Sequence, residues 1–208
     1  MLQKQTVEGS TFSLLNELMS LDFLNEFNLV GGTALSLQLG HRKSIDIDLF
    51  NINPFDILTL RNEFRNHFND RISIVSSEKN RLGIFSQVDG IKLDICKHPH
   101  PLLYPILNIE GIRMWGLQDI AASKVFAISA RATKKDFWDL DRLLDEFSFL
   151  EIASFYDKRY EHKLAIAISK MLIYFDEAEE SDTPICLLNK NWEQVKKSIF
   201  KKINTHTK

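Results

Sequence analysis

Two neighbouring segments decide the fold of this chain: Leu29-Val30-Gly31-Gly32-Thr33-Ala34-Leu35-Ser36-Leu37 and His41-Arg42-Lys43-Ser44-Ile45-Asp46-Ile47-Asp48-Leu49-Phe50. The first sets two glycines between a short apolar strand and a helical run, and the second alternates apolar and acidic residues as a strand does. Successive strand side chains point to opposite faces, so Asp46 and Asp48 share one face, and Ile45, Ile47 and Leu49 share the other. The pattern predicts strand, glycine turn and helix, followed by a strand with an acidic face.

The acidic face predicts a metal-binding site, and the glycine turn predicts a phosphate-binding site. Two carboxylates about 4 Å apart repel by roughly 1 kcal/mol in water and by several times more at a protein surface. Mg²⁺ removes that cost, because it binds one or two carboxylates and accepts phosphate oxygens from a substrate. The free N–H groups at the start of a helix form an anion site, and glycine allows the turn before it. An ordinary tight turn with solvated acids is the structural alternative.

The spacing from Gly31-Gly32-Thr33 to Asp46-Ile47-Asp48 resembles the first motif of the nucleotidyltransferase superfamily. The longer string, with His41-Arg42-Lys43-Ser44 before the acids, is similar to the AbiEii/AbiGii toxin family. The resemblance implies an enzyme that transfers a nucleotidyl group from an NTP with Mg²⁺ or Mn²⁺, as the toxin of a toxin–antitoxin or abortive-infection (phage-defence) system with an antitoxin encoded nearby. The residues expected to hold the phosphates are Gly31, Gly32 and Thr33, with Arg42 and Ser44 as weaker candidates.

A predicted hairpin supplies the third acid. Strands over 82–88 and 91–97 meet at Asp89-Gly90, a strong hairpin signal. Asp94 lies on the face opposite Leu93 and Ile95, so we expect it to join Asp46 and Asp48 around one metal ion. A lone acid on a half-exposed strand is the alternative. His98 and His100 flank prolines and are interpreted as surface residues.

Two later segments, Asp119-Ile120-Ala121-Ala122-Ser123-Lys124 and Arg131-Ala132-Thr133-Lys134-Lys135-Asp136-Phe137-Trp138-Asp139-Leu140, resemble the family's later motifs. Lys124 and Arg131 lie two helical turns apart on one face, where a triphosphate can bind. The resemblance implies that Lys124 contacts the β- or γ-phosphate from outside the core, and that Asp136 is a further acid of the site. Asp136 is a base or an orienter of basic groups, unless it is a helix N-terminal acid or a partner of Arg131. Phe137, Trp138 and Leu140 are expected in the core.

The 208 residues fit one domain, or one domain with a helical extension. We expect an α+β fold, in which a small mixed nucleotidyltransferase-like sheet with flanking helices occupies 1–115 and a helical region occupies 116–208. Further strands are predicted over 71–77 and 109–114. Helices are predicted over 11–24, from near Pro54, and over 117–130, 134–147, 150–160, 162–175 and 189–203. In the helix that starts near Pro54, the apolar residues expected to face inward are Phe55, Leu58, Leu60, Phe64 and Phe68.

The formal net charge of −2 excludes a strongly basic nucleic-acid binder, but local patches remain open. Residues 189–208 carry six lysines against one acid. A solvated helix face is the preferred interpretation, because Trp192, Val195, Ile199 and Ile203 recur at helical spacing. Contact of these lysines with an RNA backbone is the alternative. The family resemblance implies a toxin that acts on RNA, most plausibly at the 3′ end of tRNA, and the lysines, with Arg131, Lys134 and Lys135, offer the clearest basic surfaces for such an acceptor. The lysines are Lys190, Lys196, Lys197, Lys201, Lys202 and Lys208.

No apolar run is long enough to span a membrane, and Met1-Leu2-Gln3-Lys4-Gln5 lacks the apolar block of a signal peptide, so a cytoplasmic protein without membrane contact is expected. Cys96 and Cys186 have no metal-ligand spacing and are expected to be buried thiols. Two rival functions remain. A small-molecule, antibiotic-type nucleotidyltransferase predicts an acceptor pocket instead of a basic groove, and a non-catalytic nucleotide-binding module predicts loss of one or more acids.

Overall fold

The computed structural model describes residues 1–77, 80, 82–160 and 165–205, without the side chains of 165–167. The strands are β1 Asn28–Leu29, β2 Ile47–Asn51, β3 Ile72–Ile74, β4 Gly83–Val88, β5 Ile91–Lys97, β6 Leu107–Ile109 and β7 Ile112–Met114. The helices are α1 Gly9–Met19, α2 Gly31–Leu39, α3 Ile57–Phe68, α4 Leu117–Arg131, α5 Lys134–Glu146, α6 Phe149–Tyr160, α7 Ala165–Leu172 and α8 Trp192–Asn204.

The strands form one mixed sheet in the order β3-β4-β5-β2-β1-β7-β6. Strand β2 lies at the centre, antiparallel to β1 and parallel to β5. The parallel pairing sets Asp48 opposite Asp94, with Ile47 opposite Leu93 and Leu49 opposite Ile95. These four apolar side chains are fully buried. The predicted α+β class with a mixed sheet is therefore confirmed, and the two acids are adjacent because their strands are.

The acidic strand is shorter than its alternating pattern indicated. It begins at Ile47, and Ile45 precedes it with 66% of its surface exposed. The prediction that Ile45 shares the buried face was wrong, because the chain before β2 is tied by backbone hydrogen bonds to other segments. The Ser44 N–H donates to the Thr6 carbonyl, and the Lys43 N–H donates to that of Ile185.

Several predicted bounds differ from the structure for local reasons. Helix α1 ends at Met19 instead of near residue 24. Helix α3 starts at Ile57 and not near Pro54, because Asp56 caps it by accepting from the Thr59 N–H at 2.6 Å. Leu58, expected to face inward, is exposed. Residues 107–114 form a hairpin and not a single strand, because Glu110 and Gly111 both turn with positive φ.

The later helices fall close to their predicted positions. One cluster of buried side chains joins strand residues such as Leu49 to helix residues such as Phe137 and Ile199. The division at 115/116 stays a prediction, as does the start of the helix predicted over 162–175, since 161–164 lie outside the described residues. Both cysteines are half-buried, so the prediction of buried thiols was wrong. None of the described helices is long and apolar enough to cross a membrane.

Candidate active site

The glycine turn brings α2 against the acidic strand. Gly31 starts the helix with φ +69°, and a Cβ at this position would lie 2.7 Å from Asp48 Oδ2. Glycine is therefore needed both for the backbone angle and for the close approach. The Thr33 hydroxyl donates to the Asp46 carbonyl and lies 2.9 Å from Ser44 Oγ. Both hydroxyls thus hold the segment before β2, while the first N–H groups of α2 point out of the helix end.

Two carboxylates face each other across β2 and β5. Burial raises the pKa of Asp48 to about 6, and the neighbouring charges of Asp94 and Asp46 add to the increase. Asp94 Oδ2 pairs with Lys92 Nζ at 2.8 Å, but Asp94 Oδ1 is buried without a hydrogen-bond partner in the described part of the chain. Asp46 lies beside Lys135, with Oδ2 and Nζ 3.5 Å apart.

The fit of these residues to a divalent cation follows from their charges. A bound cation would lower the pKa of Asp48, and it would give the unpaired Oδ1 of Asp94 a partner. Across residues 1–77, 80, 82–160 and 165–205, however, no group of three or more His, Cys, Asp or Glu is arranged to hold one ion. The structure brings Asp48 and Asp94 together and leaves Asp46 paired to Lys135, so the three-carboxylate metal site stays a prediction.

Asp139 forms the centre of a buried charge cluster that the sequence analysis did not assign to the site. Its carboxylate accepts from Arg42 Nε at 2.6 Å and Nη2 at 2.9 Å, and it contacts His41 Nε2 at 2.7 Å and Lys124 Nζ at 2.5 Å. Burial would raise the pKa of Asp139, but Arg42 and Lys124 hold it well below its usual range. Its spacing from Asp136, one turn along α5, was the signal available in the sequence.

Asp136 lies one turn earlier and orients two cations. Oδ1 accepts from Lys124 Nζ at 2.9 Å, and Oδ2 accepts from Thr133 Oγ1 at 2.6 Å and from Arg131 Nε at 3.3 Å. Burial would raise the pKa of Asp136, but Lys124 and Arg131 outweigh it and lower the value to about 2. Of the roles left open for Asp136, the geometry favours the partner of Arg131 and orienter of basic groups.

Lys124 lines the site but is buried, whereas a position outside the core was expected. It is buried between Asp136 and Asp139, and both carboxylates outweigh burial to raise its pKa. Phe137, Trp138 and Leu140, on the same helix as these acids, are buried as predicted. The expectation that Lys124 lies outside the core was wrong, because the buried helix α5 supplies carboxylates that the linear sequence does not show as neighbours.

Two cavities meet at the site. The cationic cavity, of about 340 Å³, is lined by Gly31, Gly32, Arg42, Lys43, Ser44, Ile45, Asp46, Asp48, Lys124, Arg131, Lys135 and residues 182–185. The aromatic cavity, of about 400 Å³, contains Asp94 together with Phe50, Phe85, Trp115, Phe126 and Tyr160. Both share Gly31, Asp48, Lys124 and Arg131. Of the predicted site residues, Thr33 and Asp136 line neither cavity and support those that do.

The two histidines predicted to lie on the surface, His98 and His100, are not exposed in the structure. His98 is 8% exposed and stacks on Phe50 with ring centroids 5.9 Å apart, so its interpretation as a surface residue was wrong. The His98 N–H donates to the Asn51 carbonyl, which extends the pairing of β2 with β5, and the His98 ring packs edge-on against Trp115. His100 is half-buried and lies beside His98.

Several lysines on α8 or just before it form ion pairs within the protein. Lys190 and Lys202 bind Asp141 at 2.6 and 2.8 Å, and Lys196 binds Glu179 at 2.7 Å. Val195, Ile199 and Ile203 are buried, and Trp192 is half-buried and stacked on Trp138, so the predicted packing face is confirmed. Lys208 lies outside the described residues. Ion pairs therefore account for three of the five lysines of this segment that the structure describes.

Comparison with known structures identifies the class of fold. JHP933 from Helicobacter pylori superposes with a TM-score of 0.58 at 18% identity over 96% of this chain and 92% of that one. MenT4, a nucleotidyltransferase toxin from Mycobacterium tuberculosis H37Rv, gives 0.60 at 13% identity over 94% and 84%. ANT(2″)-Ia in complex with adenylyl-2″-tobramycin gives 0.53 at 14% identity over 72% and 96%. The fold is that of nucleotidyltransferases.

Sequence comparison then identifies the family. The model of the nucleotidyl transferase AbiEii toxin family, from type IV toxin–antitoxin systems, matches residues 13–206. An uncharacterized protein of Aquifex aeolicus, aq_aa25, is 33% identical over 199 residues, covering 92% of this chain and 93% of that protein. This chain belongs to the AbiEii nucleotidyltransferase toxin family and is an enzyme of that class, which confirms the resemblance seen in the sequence.

Proposed function

We propose that this toxin transfers a nucleotidyl group from an NTP to RNA, with the 3′ end of tRNA as acceptor, and that Mg²⁺ or Mn²⁺ is required. The observation that carries the proposal is the pairing of β2 with β5, which sets Asp48 against Asp94 where the two cavities meet. Asp46, Asp48 and Asp94 would hold the metal, whose charge would neutralise the triphosphate and polarise the reacting oxygens. Membership of the family implies an antitoxin partner and an NTP substrate.

The cationic cavity supports binding of the triphosphate. The N-terminus of α2 at Gly31 and Gly32 presents free N–H groups, and Lys124 and Arg131 line the same cavity. Asp136 and Asp139 fix Lys124, so the ammonium is oriented before a substrate arrives. In the reaction, the acceptor hydroxyl oxygen bonds to the α-phosphorus, the bond to pyrophosphate breaks, and the hydroxyl proton passes to solvent. Positioning and charge neutralisation provide most of the catalysis in such transfers.

The acceptor is tested by labelling. The protein is incubated with each α-labelled NTP, Mg²⁺ and total RNA, with Asp46→Ala as the control, and the products are separated on a denaturing gel. Label on RNA of tRNA size that is absent with Asp46→Ala supports the proposal, and label that persists in EDTA contradicts the metal requirement. Label confined to small molecules would favour the antibiotic-type activity, for which ANT(2″)-Ia offers a likeness of fold alone. Label on protein would also overturn the RNA acceptor.

A further inference from the structure

The aromatic cavity is not explained by phosphate binding. Its lining includes the rings of Phe50, Phe85, Trp115, Phe126 and Tyr160. It shares Gly31, Asp48, Lys124 and Arg131 with the lining of the cationic cavity. Ligand sites of this size combine apolar walls with a few polar groups that fix orientation. A molecule that is anionic at one end and flat and aromatic at the other would therefore occupy both cavities at once.

Two buried nitrogen atoms in this lining have no hydrogen-bond partner within the described residues: His98 Nε2 and Trp115 Nε1. A buried polar atom left unpaired costs about 1–3 kcal/mol, and native proteins keep few of them. Burial lowers the pKa of His98 to about 4, with Arg159 adding to the decrease, so its imidazole is neutral near pH 7. A neutral imidazole offers one donor and one acceptor nitrogen, which suits the edge of a nucleobase.

The walls of the cavity are held in place by buried contacts. Asp119 of α4 accepts from the N–H groups of Leu103 at 2.8 Å and Tyr104 at 3.1 Å, and it forms an ion pair with Arg159 of α6. The Arg159 guanidinium lies over the Trp115 ring, 4.8 Å from its centroid. These contacts join the connection after β5 to α4 and α6. The cavity is thus preorganised, as a specificity pocket requires.

Phe126 and Tyr160 offer a stacking surface. Their rings are nearly parallel, with an interplanar angle of 16° and centroids 5.1 Å apart, and Phe126 remains 49% exposed. Stacking of a base on an aromatic side chain contributes about 1–3 kcal/mol per base. Exposed apolar surface on a large ring is unfavourable in water, and a base stacked on Phe126 would bury part of that surface.

We propose that the aromatic cavity binds the base of the incoming NTP, with Phe126 and Tyr160 as the stacking surface and His98 as the polar residue of the lining that distinguishes one base from another. This assignment rests on the proposed function, because it requires the triphosphate in the cationic cavity. We assign the base to the NTP and not to the acceptor because Lys124 and Arg131, the cations expected to bind the triphosphate, line both cavities.

Binding measurements separate the base from the phosphates. Affinities for the four NTPs and for inorganic tripolyphosphate are measured by calorimetry with Ca²⁺ in place of Mg²⁺, so that no turnover occurs. Phe126→Ala should weaken NTP binding about tenfold and leave tripolyphosphate binding unchanged. Phe200→Ala is the matched control, because Phe200 is 55% exposed on α8 and lines neither cavity. His98→Phe keeps a flat ring and removes the nitrogen, so it should change the order of affinity among the four NTPs.

Each outcome decides one assignment. An equal loss of NTP and tripolyphosphate affinity in Phe126→Ala, or no loss of either, overturns the base pocket. Unchanged NTP binding with weaker binding of an RNA oligonucleotide gives the cavity to the acceptor and also overturns it. Wild-type protein that binds tripolyphosphate as tightly as every NTP rejects the base pocket alone. Wild-type protein that binds neither ligand rejects the proposed function itself. Thermal unfolding of each variant checks that it is folded.

Discussion

Asp48 occupies a position where its own negative charge is unfavourable, and this conflict makes it a sensitive probe of the site. Its pKa is raised to about 6 first by burial and then by Asp94, so the ionised form destabilises the folded state relative to the unfolded chain, where the pKa is near 3.9. The penalty is complete above the folded pKa, decreases as pH falls, and vanishes below the unfolded pKa.

Asp48→Asn should therefore stabilise the metal-free protein. In EDTA at about pH 7.5, we expect the free energy of unfolding to rise by roughly 1–3 kcal/mol and Tm by several degrees. The gain over wild type should shrink as pH falls from about 6 to about 4. Circular dichroism melts of both proteins across this range measure it, and a gain that does not depend on pH would show that the buried charge is not its cause. Nucleotidyl transfer should be lost in the same variant.

A single substitution of Asp139 tests the contribution of the buried charge cluster to stability. Asp139→Asn leaves the buried cations Arg42 and Lys124 without their shared counter-charge, so we expect a loss of about 3–5 kcal/mol in unfolding free energy. Asp141→Asn, two residues on, is the matched control: its partners Lys190 and Lys202 are partly exposed and can return to water, so about 1 kcal/mol or less is expected. Urea denaturation compares the two, and equal losses would argue against a special role for Asp139.

Among the secondary-structure elements, the start of α2 is where backbone geometry and chemistry coincide. Gly31→Ala introduces a Cβ that meets Asp48 Oδ2 and must also adopt a positive φ. Gly90→Ala, at φ +78° in the β4–β5 turn, brings the same kind of strain but meets no atom within 4 Å. Each change should cost about 1 kcal/mol through backbone strain.

The two glycine variants should differ in activity. Gly31→Ala displaces the Asp48 carboxylate or the helix end, so transfer from NTP should fall below detection, whereas Gly90→Ala should retain it. Steady-state turnover with thermal melts as the folding control distinguishes the two effects. If both variants are equally active, the close approach of α2 to Asp48 is not needed for function.

At the scale of the whole molecule, the question is where a long acceptor would lie on a slightly acidic protein. Lys197 and Lys201 are exposed on α8 and, within the described residues, no ion pair ties them to the fold. The double change Lys197→Glu/Lys201→Glu should therefore reduce labelling of RNA several-fold at moderate salt, with NTP affinity and Tm unchanged. Phosphate contacts are salt-dependent, so the difference from wild type should narrow as salt is raised.

The control for this prediction has the same change in net charge. Lys158→Glu/Lys170→Glu alters two exposed lysines on α6 and α7 instead. If both double variants lose RNA labelling equally, the effect is one of total charge, and α8 is not an RNA surface. A loss confined to Lys197→Glu/Lys201→Glu supports it.

Local patterns predicted much of the fold because they depend on near neighbours in the chain. The alternation around Asp94, the Asp89-Gly90 turn and the apolar spacing of Val195, Ile199 and Ile203 each report a periodic face, and these were found as expected. Bounds failed where a single competing contact decided them. Asp56 caps α3, so the helix starts at Ile57 and not near Pro54. Backbone hydrogen bonds from Ser44 to Thr6 and from Lys43 to Ile185 keep residue 45 out of β2.

The amino-acid sequence by itself determined the family, the sheet-and-helix class and the strand parity that sets Asp48 and Asp94 on the face opposite their apolar neighbours, since these follow from short-range spacing. The tertiary structure alone decided which charges meet. It buried Lys124 between Asp136 and Asp139, paired Arg42 with Asp139 across 97 positions of the chain, and folded His98 into an aromatic cavity. Burial and pairing depend on which elements pack together, and the energy of a charge changes far more with its surroundings than with its neighbours in sequence.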